Sequence, residues 1–116
     1  MIAAILIGRK GSKGFPGKNL YKVAGKPLAY YPMNAACGCR LIDKRYVSTD
    51  DIKLERLGLA NSFEIIKRPP QLCSDKALGE DVFIHAYQFI KSRNKTGIEL
   101  LVLLMCNAPI KFFTYY

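Results

Sequence analysis

Apolar runs alternate with amphipathic segments along the chain. The run Met1–Ile7 is apolar throughout, which is typical of a strand in a parallel sheet that is covered on both faces. Strands that alternate with helices predict an α/β fold with a doubly wound, mainly parallel sheet. The predicted strands are Met1–Ile7, Arg45–Ser48, Phe63–Lys67 and Glu99–Met105, and the predicted helices are Leu28–Cys37, Ile52–Ala60 and Gly79–Ser92.

Turn and cap signals lie between these elements. The residues Gly25–Pro27 predict a turn before the first helix, and Pro32 inside that helix is expected to bend or shorten it. The segment Ser48–Asp51 offers side chains that cap helices, and it directly precedes the second predicted helix. We interpret this segment as mainly structural, with capping and loop bracing as its roles.

The segment that follows the first strand is rich in glycine and in cations. Glycine lets the backbone approach a ligand closely, and cations form charge-assisted hydrogen bonds with phosphate oxygens. In open α/β sheets, ligands bind at the carboxyl ends of the strands, so a polyphosphate site is favoured over a basic surface turn. The glycines are Gly8, Gly11, Gly14 and Gly17, and the cations are Arg9, Lys10, Lys13 and Lys18.

The spacing in this segment excludes two familiar phosphate motifs. A Walker loop has the pattern Gly-x-x-x-x-Gly-Lys followed by Ser or Thr. Here Gly11 lies one residue too far from Lys18, and Asn19 replaces the hydroxyl residue. The dinucleotide pattern Gly-x-Gly-x-x-Gly is absent too, because these glycines are spaced by three.

Polar clusters also follow the other predicted strands, at residues 48–51, 68–79 and 105–110. Because the carboxyl ends of parallel strands lie at one edge of a sheet, these clusters predict one shared site.

The composition restricts the class of protein. The chain has 116 residues, 50% of them hydrophobic, and a net charge of +9, which suits one globular domain with an anionic partner. The cations are scattered and form no nucleic-acid-binding module, so nucleic acid is disfavoured as a partner. No apolar run approaches a membrane span, and the N-terminus lacks signal-peptide features. We therefore expect no membrane partner and a cytoplasmic location.

Four segments together resemble the acylneuraminate cytidylyltransferases, or CMP-sialic acid synthetases. The resemblance spans nearly the whole chain and corresponds to the N-terminal half of that family. It implies a Rossmann-like fold of the nucleotide-diphospho-sugar transferase type. It also implies transfer of CMP from CTP to a sugar acid such as sialic acid, with release of pyrophosphate. The matching segments are Leu6–Asn19, Gly25–Leu28, Val47–Asp51, and Arg68–Leu72 with Asp75.

The resemblance also implies roles for individual residues. Arg9 and Lys18 would be the catalytic residues, because they would hold the triphosphate and stabilise charge in the transition state. Arg68 would reach the nucleotide from the loop after the third strand. From the residues alone, a ligand contact is favoured for Arg68 over an exposed cation before a proline turn, whereas Asp75 could almost equally be a helix cap. The other nucleotide-binding residues would be Gly8, Gly11, Ser12, Lys13 and Asn19 around the phosphates, and Asp75, Ala77 and Gly79 near the ribose and base.

The chain departs from the family pattern in two places. After the fourth strand the family has Gln-Pro-Thr-Ser-Pro-Leu, whereas this chain has Met105–Ile110, which leaves Asn107 as the candidate for contact with the sugar. The metal-binding aspartates of the family come from a later half. We therefore expect residues 1–116 to be the N-terminal nucleotide-binding part of a longer domain whose C-terminal half is absent. The aromatic-rich residues 111–116 are expected to be a non-native tail, from truncation or a frameshift.

The remaining expectations concern the full-length form. It would require Mg²⁺, with no metal ligands in this chain, and would form a homodimer, whereas the chain alone would be weak or inactive. Two other functions stay open. One is another sugar nucleotidyltransferase, and the other is a non-catalytic basic remnant that binds nucleotides or nucleic acid.

Overall fold

A four-stranded parallel sheet with helices on both faces forms the centre of the structure. In this computed structural model, residues 1–8, 18–73 and 79–105 are described, with Lys18 described by its backbone alone. The strand order in the sheet is β5-β4-β1-β6. The elements are β1 (Ile2–Gly8), β2 (Lys22–Val23), β3 (Lys26–Pro27), α1 (Tyr30–Cys37), β4 (Lys44–Thr49), α2 (Ile52–Ala60), β5 (Glu64–Lys67), α3 (Gly79–Arg93) and β6 (Leu100–Leu104). The predicted α/β fold with its parallel sheet is confirmed.

The central strand β1 is buried on both faces, which explains its uninterrupted apolar sequence. Ala4 and Leu6 belong to a core cluster with residues of α1 and α2. Ala3 and Ile5 point to the opposite face and belong to a second cluster with residues of α3. Because successive side chains of a strand alternate between faces, both sets of positions must be apolar in this strand.

Helix α1 begins two residues later than the sequence predicts. The backbone amides of Leu28 and Ala29 donate hydrogen bonds to the carbonyl oxygens of Tyr21 and Asn19, and the first helical residue is Tyr30. Pro32 therefore lies in the first turn, where its missing N–H has no partner within the helix to lose. Helix α1 is thus two residues shorter than the predicted helix Leu28–Cys37, in line with the expectation that Pro32 shortens or bends it.

A small antiparallel hairpin precedes α1 and was not predicted. Strands β2 and β3 pair across the two-residue turn Ala24–Gly25, whose φ angles of 52° and 84° are both positive. Two positive φ angles define the type I′ turn that joins twisted strands. The predicted turn at Gly25–Pro27 therefore starts one residue too late, because Lys26 and Pro27 already belong to β3.

No helix in the described ranges 1–8, 18–73 and 79–105 is long and apolar enough to span a membrane. The predicted non-native tail at residues 111–116 lies outside those ranges.

Helix α2 has the predicted bounds, and its N-cap, Asp51, lies in the segment predicted to cap it. Asp51 has an extended backbone, and its Oδ1 accepts a hydrogen bond of 3.0 Å from the amide of Lys53.

We expect Asp51→Ala to lower the free energy of unfolding by about 1 kcal/mol, because the amide of Lys53 loses its partner. Urea unfolding would measure the change. Asp51→Asn is the matched control and should stay close to wild type, and an equal loss in both variants would contradict the capping role.

Candidate functional site

The carboxyl ends of the four parallel strands lie along one edge of the sheet. Gly8 at the end of β1 is paired in register with Thr49 of β4, and Thr49 is paired with Lys67 of β5. On the other side of β1, Leu6 is paired with Leu104 of β6. The segments that leave these strands therefore begin side by side, as expected for polar clusters that follow parallel strands.

The order of strands reverses at β1. In the order β5-β4-β1-β6, strands that come later in the chain lie on both sides of β1. Such a topological switch point is where doubly wound sheets bind their ligands, in the crevice at the carboxyl ends. The glycine- and cation-rich segment of residues 8–19 starts here, because Gly8 is the last residue of β1.

Gly8 is packed so closely that an added side chain would force its neighbours to move. An added Cβ would overlap with Cδ2 of Leu54 and would lie 3.2 Å from Nδ2 of Asn19. Leu54 is fully buried in the core cluster that α1 and α2 share, and a close-packed core leaves it little room to move. Asn19 is itself anchored, since its carbonyl oxygen accepts a 2.8 Å hydrogen bond from the amide of Ala29. Gly8 is thus confined by packing, and the backbone of Asn19 is held by a hydrogen bond.

Arg68 joins the ends of two strands through its guanidinium group. Its Nε donates to Oγ of Ser48 at 3.1 Å, and its Nη2 donates to the carbonyl oxygens of Ser48 at 3.0 Å and of Gly8 at 3.1 Å. Arg68 is half-buried and Ser48 is fully buried. A guanidinium offers several donors in one plane, so it can bind acceptors on two strands at once.

The segment Ser48–Asp51 has the structural roles that the sequence predicts. The hydroxyl oxygen of Thr49 accepts a 3.0 Å hydrogen bond from the amide of Asp51, and Asp51 caps α2. Ser48, Thr49 and Asp51 are all buried. The contact between Ser48 and Arg68 was not predicted, although both residues lie at the ends of neighbouring predicted strands, which is the signal that could have indicated it.

A cavity of about 390 Å³ lies beside the switch point, between the ends of β1 and β6 and the start of α3. Gly79, a predicted nucleotide-binding residue, is part of its lining and is the first residue of α3. The apolar residues that line the cavity were not predicted to belong to a site, although Ile7 and Met105 end predicted strands, where ligands are expected. The lining residues are Ile7, Gly79, Glu80, Phe83, Leu103, Leu104 and Met105.

The structure thus brings together Gly8, Asn19 and Arg68 among the predicted site residues, with the backbone of Lys18 next to Asn19. Gly79 lies at the cavity on the same edge of the sheet. Seven predicted site residues lie outside the described ranges, namely Arg9, Gly11, Ser12, Lys13, Asp75, Ala77 and Asn107.

Metal-binding side chains are not grouped in the described part of the chain. Across residues 1–8, 18–73 and 79–105, no set of three or more His, Cys, Asp or Glu side chains is placed to hold a metal ion. The described residues therefore form no all-protein cage for Mg²⁺.

Comparison with known proteins assigns the chain to a family. Residues 3–95 match the family described as "Cytidylyltransferase". The chain belongs to the cytidylyltransferase family. It is 35% identical over 112 residues to an N-acylneuraminate cytidylyltransferase of Streptococcus agalactiae serotype III (strain NEM316). It is 30% identical over 114 residues to the N-acylneuraminate cytidylyltransferase of Escherichia coli O18:K1:H7 (strain RS218 / NMEC). The family resemblance that its motifs predict is thereby confirmed.

These relatives are much longer than this cytidylyltransferase chain. The matches cover 92% of the chain but 25% of the streptococcal protein, and 98% of the chain but 26% of the Escherichia coli protein. The chain therefore spans about a quarter of the length of these curated relatives.

Solved structures of cytidylyltransferases share the fold. One is CMP:2-keto-3-deoxy-manno-octonic acid synthetase complexed with CTP, with a TM-score of 0.72 and 22% identity, over 93% of this chain and 41% of that one. Another is a cytidylyltransferase from Leptospira borgpetersenii serovar Hardjo-bovis (strain JB197), with a TM-score of 0.69 and 16% identity, over 93% of this chain and 42% of that one. At these identities the likeness establishes the Rossmann-like fold.

The packing at Gly8 leads to a stability prediction. We expect Gly8→Ala to lower the free energy of unfolding by about 1–3 kcal/mol, because the added methyl group overpacks the buried contact with Leu54. Urea unfolding would measure this loss. Gly97→Ala is the matched control, since a Cβ there meets no atom within 4 Å. A Gly8→Ala variant as stable as Gly97→Ala would show that the end of β1 is not closely packed.

Proposed function

We propose that this chain is the nucleotide-binding part of an enzyme that transfers CMP from CTP to a sugar acid and releases pyrophosphate. The observation that carries the proposal is the place of the glycine- and cation-rich segment. It leaves the carboxyl end of β1 at the switch point of a doubly wound sheet, where ligands of such folds bind. The match to the cytidylyltransferase family over residues 3–95 supports the same conclusion.

In the proposed reaction, a hydroxyl oxygen of the sugar acid attacks the α-phosphorus of CTP. A new P–O bond forms as the bond from the α-phosphorus to the bridging oxygen breaks. The hydroxyl proton is released to solvent, and pyrophosphate leaves. Such a transfer depends mainly on positioning and on neutralising charge on the phosphoryl oxygens. Arg9 and Lys18 supply that positive charge in this proposal, Arg9 as a planar fork for two oxygens and Lys18 as a mobile point charge.

The remaining proposed contacts follow the segment and the neighbouring strand ends. Gly11, Ser12, Lys13 and Asn19 surround the phosphates together with Gly8. Around the ribose and base, the proposed residues are Asp75, Ala77 and Gly79, of which Gly79 borders the cavity between β1, β6 and α3. Arg68 is proposed to reach the nucleotide from the loop after β5.

The acceptor is proposed to be a sugar acid of the sialic-acid type. The curated relatives named above are N-acylneuraminate cytidylyltransferases, which supports this class of acceptor. Asn107, in the segment after β6, is the proposed contact with the sugar. We further propose that the full-length protein is a cytoplasmic homodimer that uses Mg²⁺, which would neutralise the β- and γ-phosphates when bound.

Binding of CTP to the chain tests this proposal directly. We expect Arg9→Ala and Lys18→Ala each to raise the dissociation constant for CTP by about tenfold or more, because each variant removes charge-assisted hydrogen bonds to phosphate. Isothermal titration calorimetry with CTP, with and without Mg²⁺, would measure the change.

Two exposed cations away from the site provide matched controls for that titration. Arg40, which follows α1, and Lys95, which follows α3, are both exposed, so Arg40→Ala and Lys95→Ala should bind CTP like wild type. Equal losses in all four variants would contradict a specific triphosphate site and would favour the nonspecific basic surface. Tighter binding of UTP or GTP than of CTP would favour another sugar nucleotidyltransferase. Steeply salt-dependent binding of DNA or RNA, without preference for free triphosphates, would favour the nucleic-acid-binding remnant.

A further inference from the structure

We propose that residues 111–116 of this chain add to the sheet as an antiparallel strand along the second edge of β6. This inference is independent of CTP binding, because it concerns how the sheet is completed. Its basis is an apolar edge strand in the described part of the chain and a segment of strand-favouring residues, outside the described ranges, that follows it closely in the sequence.

Strand β6 lies at one end of the sheet. In the order β5-β4-β1-β6, one edge of β6 pairs with β1, and among the described residues no strand pairs with its other edge. The backbone N–H and C=O groups along an unpaired edge are a template for another strand. The second edge of β6 is therefore a place where the sheet can be extended.

The two edge strands differ in how they resist pairing. Strand β5 at the opposite end of the sheet is short, and its first and last residues, Glu64 and Lys67, are charged and exposed. Short edge strands with charged side chains discourage the addition of another strand. Strand β6 has the sequence Leu-Leu-Val-Leu-Leu, without a charge or a proline. Of the two edges, β6 is thus the one that accepts a further strand.

Apolar side chains are uncovered on both faces of the sheet beside β6. Leu100 is 55% exposed and Leu103 is 45% exposed, and their spacing in the strand places them on opposite faces. Met105, which follows β6, is 48% exposed. A helix or loop packed on the sheet covers one face only, whereas an added strand covers apolar surface on both faces and also pairs the backbone edge. The occupant that fits this edge is therefore a strand.

Residues 111–116 have the composition of such a strand. Their sequence is Lys-Phe-Phe-Thr-Tyr-Tyr, and Phe, Thr and Tyr are residue types that strands favour. Because successive residues of a strand face opposite sides, Phe112 and Tyr116 cover one face in this arrangement, and Phe113 and Tyr115 cover the other. Aromatic side chains on both sides suit an edge at which both faces are uncovered.

The connection between β6 and this segment suits a hairpin. Strand β6 ends at Leu104, and residues 105–110 lie between it and the proposed strand. They include Asn107 and Pro109, which are residue types that favour turns. A strand that returns after so short a connection pairs antiparallel. Covalent linkage gives the segment a high effective concentration at the edge, whereas a second copy must overcome repulsion between chains of net charge +9.

Nuclear Overhauser contacts between Hα protons detect the pairing directly. In an antiparallel pair, the Cα atoms of opposite residues are about 4.5 Å apart where no hydrogen bonds join them, which brings their Hα protons into contact. We expect such contacts between β6 and residues 112–115 in the isotope-labelled full chain. Their absence from the folded protein would overturn the proposal.

Two matched double variants separate strand pairing from loose apolar covering. Alternate amides of a strand face its partner, so Thr114→Pro combined with Tyr115→Pro removes at least one hydrogen bond to β6. Thr114→Val combined with Tyr115→Val loses the same aromatic side chain but keeps the strand preference. We expect the proline variant to speed amide exchange in β6 by about tenfold, relative to Val47 of β4 as internal reference, and the valine variant to leave that ratio unchanged. Equal ratios in the two variants would contradict strand pairing.

A mixed sample of labelled and unlabelled chains distinguishes this segment from a second copy as the occupant of the edge. We expect the contacts with β6 to arise within one chain, and sedimentation to show a monomer at all concentrations used. Contacts between labelled and unlabelled chains, or protection of β6 that rises with concentration, would assign the edge to a second copy and overturn the proposal.

Discussion

The burial of β1 on both faces is the constraint on which the rest of the structure depends. Ala4 and Leu6 pack against α1 and α2, while Ala3 and Ile5 pack against α3, so both layers of helices are organised by one strand. β4 pairs with one edge of β1 and β6 with the other. This central place makes the end of β1 the switch point of the sheet, where ligands bind in folds of this type. The site is therefore a consequence of the strand that builds the core.

Two unlike interactions hold the end of this strand at Gly8. Apolar packing against Leu54 leaves no free space beside Gly8, and the guanidinium of Arg68 donates a hydrogen bond to its carbonyl oxygen. Arg68, which the family resemblance implies to be a nucleotide contact, thus also has hydrogen-bond partners within the chain, Ser48 and Gly8. Catalysis of phosphoryl transfer depends on groups that are oriented in advance, and Gly8 directly precedes Arg9 in the chain.

The sequence predicts the elements with strong local signals. The strand β1 and the helix α2 follow from an unbroken apolar run and from the cap Asp51, both of which are local properties. The hairpin β2–β3 escapes prediction because Ala24 occupies a positive-φ position that turn signals assign to Gly, Asn or Asp. The bond from Arg68 to Gly8 could not be predicted either. It depends on the strand order, which brings residues that are 60 positions apart into contact.

The triphosphate of CTP is proposed to bind at the carboxyl edge of the sheet beside β1. Mapping of amide chemical shifts in the ¹⁵N-labelled chain during titration with CTP tests it most directly. We expect the largest changes at Gly8 and Thr49, at the carboxyl edge, and small changes at Lys44 and Leu100, where β4 and β6 begin at the opposite edge. Changes concentrated at that opposite edge, or spread evenly over the exposed lysines, would contradict the account.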